Sequence, residues 1–297
     1  MLTKGMLLVV SSMLIGFALE GGNIMVLLQP AGAFIICGVA LGAFIISNPR
    51  DLLQDIWQEL ADLKRTAAYD KQDYLELLAF LFNFFRVRKQ RSVTEIETQI
   101  DDPYNSVMFK RFPGILTNNE VVTFFCDQIR MLTIGLENIY VFESSMEAAI
   151  TNKRNKVDEV SQSLYKLGDS LPAIGIIAAV LGVINAMGSI ASEPEVLGRK
   201  IAAALIGTMF GVFLAYCLVM PVSSFLQKCG HNKLYFLECI KAGLLAHIQG
   251  NSPMIAVEVA RQTVPERYRP SFAEVEALLD NQNRNPIITN YYARKFK

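Results

Sequence analysis

Residues Gly168–Ile190 read GDSLPAIGIIAAVLGVINAMGSI, and after Asp169 the stretch carries no charge. As a helix, the twenty residues from Leu171 rise about 30 Å, the thickness of one bilayer core. The reading is therefore a transmembrane helix. Ala178, Gly182 and Ala186 recur four apart and give it one face that another backbone can approach closely. Asp169 and Ser170 are good N-cap types, and Pro172 suits a first turn, where its missing N–H costs little. These residues predict that the helix begins near Asp169, at the membrane surface.

A second such helix follows after a polar loop, Ala191–Lys200. From Ile201 to Leu226 the chain runs 26 residues without a charge, and Ala203, Gly207, Gly211 and Ala215 repeat the four-residue small stripe. The two helices are expected to pack closely. Pro221 withholds the N–H that the Cys217 carbonyl needs, which predicts a kink there. Toward the N-terminus, residues 5–19 form a short apolar run between Lys4 and Glu20 that resembles a signal peptide but lacks an AxA-like cleavage site. Glu20-Gly21-Gly22-Asn23 then makes a turn into a second uncharged run from Ile24, with Gly38 and Gly42 four apart. This pair reads as a transmembrane hairpin.

Between the hairpin and the later pair the character changes. Tyr74-Leu75-x-Leu77-Leu78-x-x-Leu81-Phe82 has helical spacing, and Arg86-Val87-Arg88-Lys89-Gln90-Arg91 is a basic cluster followed by Glu95 and Glu97. The expected organisation is 1–47 hairpin, 48–167 helical cytoplasmic region, 168–226 channel-type pair, and 227–297 helical tail with a disordered finish after Asn281. The fold class is all-α, a polytopic membrane protein with four transmembrane helices. Of the 28 Lys and Arg, one precedes the first run, fifteen lie in the central region, two in the loop between the last spans and ten in the tail. By the positive-inside rule the central region, the tail and both termini are cytoplasmic.

Composition agrees with a membrane protein: among 297 residues 52% are apolar and 19% charged, and the mean hydropathy is +0.31. Basic and acidic residues balance at 28 each, so net charge says nothing about nucleic-acid or acidic partners; no nucleic-acid partner is expected. Cys37, Cys126, Cys217, Cys229 and Cys239 form no CxxC pair and read as packing residues. His231 and His247 read as helix-surface residues. No catalytic constellation, cofactor motif or metal site is apparent.

Several motifs in fixed order carry a resemblance over nearly the whole chain: Gln29-Pro30-Ala31; Gly168-Asp169-Ser170-Leu171-Pro172-Ala173-x-Gly175-Ile176; Gly207-Thr208-x-x-Gly211; Ala215-Tyr216 with Pro221; Pro253-x-Ile255-Ala256-Val257-Glu258; and Arg269-Pro270-Ser271-Phe272-x-Glu274. The chain resembles the flagellar motor stator A subunits of the MotA type. The resemblance implies an ion channel and torque generator in the bacterial inner membrane, with A subunits in a ring of five around two copies of a MotB-type B subunit. It implies Lys89 and Glu97, with the neighbouring Arg88 and Arg91, as the surface facing a FliG-type rotor protein; Lys89 stands where arginine is usual, which loses the bidentate fork. It also implies conformational roles for Pro172 and Pro221, and a channel lined near Thr208, Ala179 and Tyr216. Sodium-driven relatives carry threonine where this chain has Ala179, so the expected coupling ion is the proton. The last two spans contain no ionisable residue within their apolar runs, whereas ion transfer at depth needs one. The B subunit's membrane aspartate would supply it. An ExbB/TolQ-type energiser is the alternative, but such proteins place one span, not two, before the main cytoplasmic region.

Overall fold

A computed structural model describes residues 2–22, 24–27, 29–62, 69–90, 92–136, 138–190 and 193–284. The described residues are helical with short connections, in the order α1 Leu2–Leu19, α2 Ile24–Leu27, α3 Pro30–Ser47, α4 Arg50–Asp62, α5 Lys71–Gln90, α6 Val93–Asp101, α7 Val107–Lys110, α8 Pro113–Leu116, α9 Asn119–Thr133, α10 Ile139–Met187, α11 Pro194–Phe213, a π-helical segment Leu214–Val219, α12 Met220–Ile248, α13 Pro253–Thr263, and α14 Phe272–Arg284. Among the described residues, four helices are long and apolar enough to cross a membrane: α1, α3, α10, and the continuous run from Pro194 to Ile248. The chain divides into two compact units, Met1–Thr66 with Lys156–Cys229, and Ala67–Asn155 with Gly230–Lys297.

The expected helix start at Asp169 is not what the structure shows. α10 runs unbroken for 49 residues with Pro172 inside it. The amphipathic sequence upstream is itself helical, so the chain needs no cap at Asp169. Only the Gly168 carbonyl loses its i+4 donor to Pro172. Ser170 turns its hydroxyl back to donate to the Leu167 carbonyl at 2.8 Å.

In the first unit, α3 packs on the later spans through Ile36 and Ala40, which join Leu171, Ile174, Ala178 and Ala215 in one apolar cluster. A second cluster seats α4 on the extended helices, with Leu52 and Ile56 against Val160, Leu164 and Leu226. An ion pair between Lys156 and Asp55, 2.6 Å apart, borders it.

The second unit is organised around α5. Its helical periodicity predicts an amphipathic element, yet Tyr74, Leu77, Leu78, Ala79, Phe80 and Leu81 are all buried. The reason is tertiary: α7, α8, α13 and α14 pack around it on several sides. Phe80 and Phe84 meet Phe125 edge-on at centroid distances of 4.9 and 4.8 Å, a geometry worth about 0.5–1.5 kcal/mol per pair beyond area burial. Buried Glu76 accepts the Gly114 N–H at 2.8 Å. The Arg269–Glu274 motif turns out to hold the tail in place. Ser271 and Glu274 form a reciprocal capping box at α14, with N–H to side-chain distances of 2.7 and 3.2 Å, while Arg269 Nε donates to the Val264 carbonyl at 2.9 Å. Helix α14 continues past Asn281 to Arg284, and residues 285–297 lie outside the described part.

Candidate functional site

The first candidate site is the face between α10 and the α11–π–α12 run within the first unit. A Cβ added at Gly182 would lie 2.8 Å from Ala204 Cβ, one at Gly207 would lie 3.5 Å from Ala178 Cβ, and one at Gly211 would lie 2.7 Å from the Leu171 carbonyl and 2.9 Å from Gly175 Cα. The helices therefore touch backbone to backbone, as the small stripes require. In register, the contacting residues are Gly175, Ala178 and Gly182 against Gly211, Gly207 and Ala204 respectively. Ala204, nearly fully buried at 3% exposure, takes the place expected for Ala203.

This packing brings the ion-path candidates to one level. The Ala179 backbone nitrogen would lie 3.5 Å from a Cβ on Gly207, and the Thr208 carbonyl 3.4 Å from one on Gly175. Gln29 and Pro30, distant in sequence, line an apolar hollow of 310 Å³ together with Gly207 and Phe210. Tyr216 lies inside the π segment and is exposed, as is Pro221; Pro172 is half-buried. The turn before Pro221, expected as a kink, is a widened one: the Met220 N–H bonds to the Ala215 carbonyl five residues back.

The second candidate site is the charged end of α5 with α6, in the second unit. Lys89 occupies the last turn of α5 and is exposed, and Glu97 sits half-buried on α6 beside buried Ile96. Neither forms an ion pair among the described residues. Arg88 is half-buried, and burial lowers its pKa; Arg91 lies outside the described residues. Sequence reading missed the neighbour of this cluster. His247 is not a free surface residue but stacks on Phe85 at 4.5 Å, and its buried Nδ1 has no hydrogen-bond partner. Burial first, and then the positive charge of Arg88, push its pKa down to about 4. Local helical spacing carries no signal for this, because the partner, Phe85, lies 162 positions earlier in the sequence.

The family model described as motility protein A N-terminal matches residues 3–92, and that of the MotA/TolQ/ExbB proton channel family matches residues 117–238. Motility protein A of Escherichia coli (strain K12) is 34% identical over 272 residues, covering 92% of each chain. The chain belongs to the motility protein A family. Another relative, the chemotaxis protein LafT of Vibrio parahaemolyticus, is 28% identical over 90% of this chain and 94% of its own. The fold is that of solved stator chains: the C. jejuni MotAB structure superposes with a TM-score of 0.76 at 20% identity, covering 91% of this chain and 98% of the other. The Bacillus subtilis MotAB stator gives 0.73 at 19% identity, with the same coverage. The motility protein A assignment gathers the scattered motifs into one object, since Gln29-Pro30, Gly175 and Gly207-Thr208 converge on the same helix pair.

Proposed function

We propose that this chain is the A subunit of a flagellar stator, forming an ion channel with a MotB-type partner and turning ion flow into torque on a FliG-type rotor protein. The carrying observation is that the facing surfaces of α10 and α11, from Leu171 to Ala204, are close-packed glycine, alanine and backbone with no ionisable side chain of their own. A channel family built on such a face needs its carboxylate from another chain. The match to the motility protein A N-terminal model over residues 3–92 favours the flagellar load over an ExbB/TolQ-type one.

Exposed apolar residues support assembly in a ring, with five A subunits around two B subunits. α1 has no buried residue, and α10 exposes Ile176, Ile177, Val180, Val183 and Ile184; in the membrane these faces meet lipid or other chains. Lys89 and Glu97 form the rotor-facing pair. The coupling ion is the proton: sodium must be stripped of water and held by several oxygens, and Ala179 offers no hydroxyl opposite Thr208. Producing the chain with its B subunit in a motile host that lacks its own A subunit should restore swimming. Swimming should be independent of external sodium at fixed pH and abolished by a protonophore; speed that rises with sodium and survives the protonophore would refute the proton assignment.

A further inference from the structure

Two backbone defects meet at one level of the α10 and α11–π–α12 pair. In α10, Pro172 offers no N–H to the Gly168 carbonyl. In the last spanning helix Pro221 offers none to the Cys217 carbonyl, and the chain before it is wound as the π segment Leu214–Val219. Gly168 is the point of contact. A Cβ there would lie 2.8 Å from Met220 Cγ, with Val219 Cγ1 at 3.4 Å and the Met220 nitrogen at 3.5 Å in ordinary contact, so any larger residue must displace the Met220 side chain at the end of the π segment.

The chain is held firmly on both sides of this point. Above it, Gly211 presses on the Leu171 carbonyl and Gly175 at under 3 Å from an added Cβ. Below it, the buried Ser223 hydroxyl donates to the Ser161 carbonyl at 2.7 Å and Gln227 Nε2 donates to Asp158 Oδ1 at 3.2 Å. Between these clamps, Ala215 is fully buried and the adjacent Tyr216 is 57% exposed, so the segment has a fixed side and a free one. A π turn holds a residue that an α turn would not. Closing it withdraws that residue, which moves one half of the helix against the other by about 1.5 Å and turns it by about 100°.

We propose that Leu214–Val219 is the joint of the last spanning helix, through which movement beside Thr208 reaches α12, and that Gly168 is the positioning residue that seats it. The proposal rests on the stator reading above. Few hydrogen bonds are lost when the joint moves, because the two carbonyls that would resist, those of Gly168 and Cys217, already lack their α partners. The glycine and the extra residue are thus parts of one device.

The test uses the full chain with its B subunit in the host described above, scoring rotation speed, membrane level and copurification of the B subunit. Gly168→Ala should lower rotation at least tenfold with level and copurification unchanged, and adding Met220→Ala, which removes the atom it strikes, should restore at least half of the speed. Deleting Leu218, which closes the π turn but keeps the register of both clamps, should give an assembled complex that does not turn. Normal rotation in Gly168→Ala or in the deletion variant, or no rescue by Met220→Ala, overturns the joint. Hydrogen exchange on the purified protein in nanodiscs decides independently should the variants fail to accumulate: amides 214–220 must exchange at least tenfold faster than 207–213, and equal rates overturn the proposal. If the unmodified chain restores no rotation, the stator reading fails, and the exchange measurement still decides the joint.

Discussion

Lys89 and Glu97 are eight residues apart in sequence and sit on different helices, the end of α5 and the middle of α6. Exposed charge pairs with a partner protein are worth at most about 1 kcal/mol each and are screened by salt. Charge reversal, Lys89→Glu or Glu97→Lys, should therefore impair swimming more than alanine does, and reversing the matching rotor charge should restore part of it. Equal effects of alanine and reversal, with no rescue, would leave the two as solvated surface charges. His247 gives a second residue-scale prediction. Its folded pKa of about 4 lies below the ordinary 6.5, so the unfolded chain takes up the extra proton between those values. Its contribution to stability is present above pH 6.5 and is lost as pH falls toward 4, by about 2 kcal/mol after allowance for partial exposure. His247→Phe keeps the stack on Phe85, removes the unpaired Nδ1, and should flatten the pH dependence of thermal unfolding across that window. The exposed charge of Lys89 was readable in the sequence because an end-of-helix charge is local; the half-burial of Arg88 was not, because burial depends on tertiary packing.

Pro172 and Pro221 belong to the scale of the element. A proline inside a helix costs about 3 kcal/mol or more, and α10 nonetheless continues through Pro172 because Val160 and Leu164 anchor the helix upstream and Leu171 and Ile174 anchor it at the proline. Alanine at either position returns an N–H to the helix, so membrane level and copurification with the B subunit should be unchanged or higher. Rotation should nevertheless fall, by tenfold or more. Loss of the protein from the membrane would make the prolines purely structural. The spanning character of both helices was legible in their uncharged runs. The long continuation of α10 was not, since Asp169, Ser170 and Pro172 are also the residues of a helix start. Gly168, Gly175 and Gly182, seven apart, were a signal of the close face that the four-residue stripe partly concealed.

For the whole molecule, the positive-inside rule leads to the expectation that the turn near Gly22 and the connection near Glu193 face outward, with both termini inside. Reporter fusions at Gly22 and Glu193 should report the outer face, and a cytoplasmic signal at either would overturn the four-span topology. The two compact units each draw on both halves of the chain. The central region and the tail therefore do not fold as separate blocks, and the tail motif closes on the central region through Lys71 and Glu274, 2.7 Å apart.

The sequence by itself determined the four apolar runs long enough to span a membrane, the close approach of the last two and the want of a carboxylate between them, because each follows from local composition and spacing under the rules of a bilayer. The tertiary structure alone decided what depends on distant partners. It buried α5 nearly all round, set His247 against Phe85 without a partner for Nδ1, matched Ala204 rather than Ala203 to Gly182, and turned the expected kink at Pro221 into a π segment seated on Gly168. Helical periodicity says which residues share a face, but only packing says how many faces are covered and which backbone lies within 3 Å of a missing Cβ.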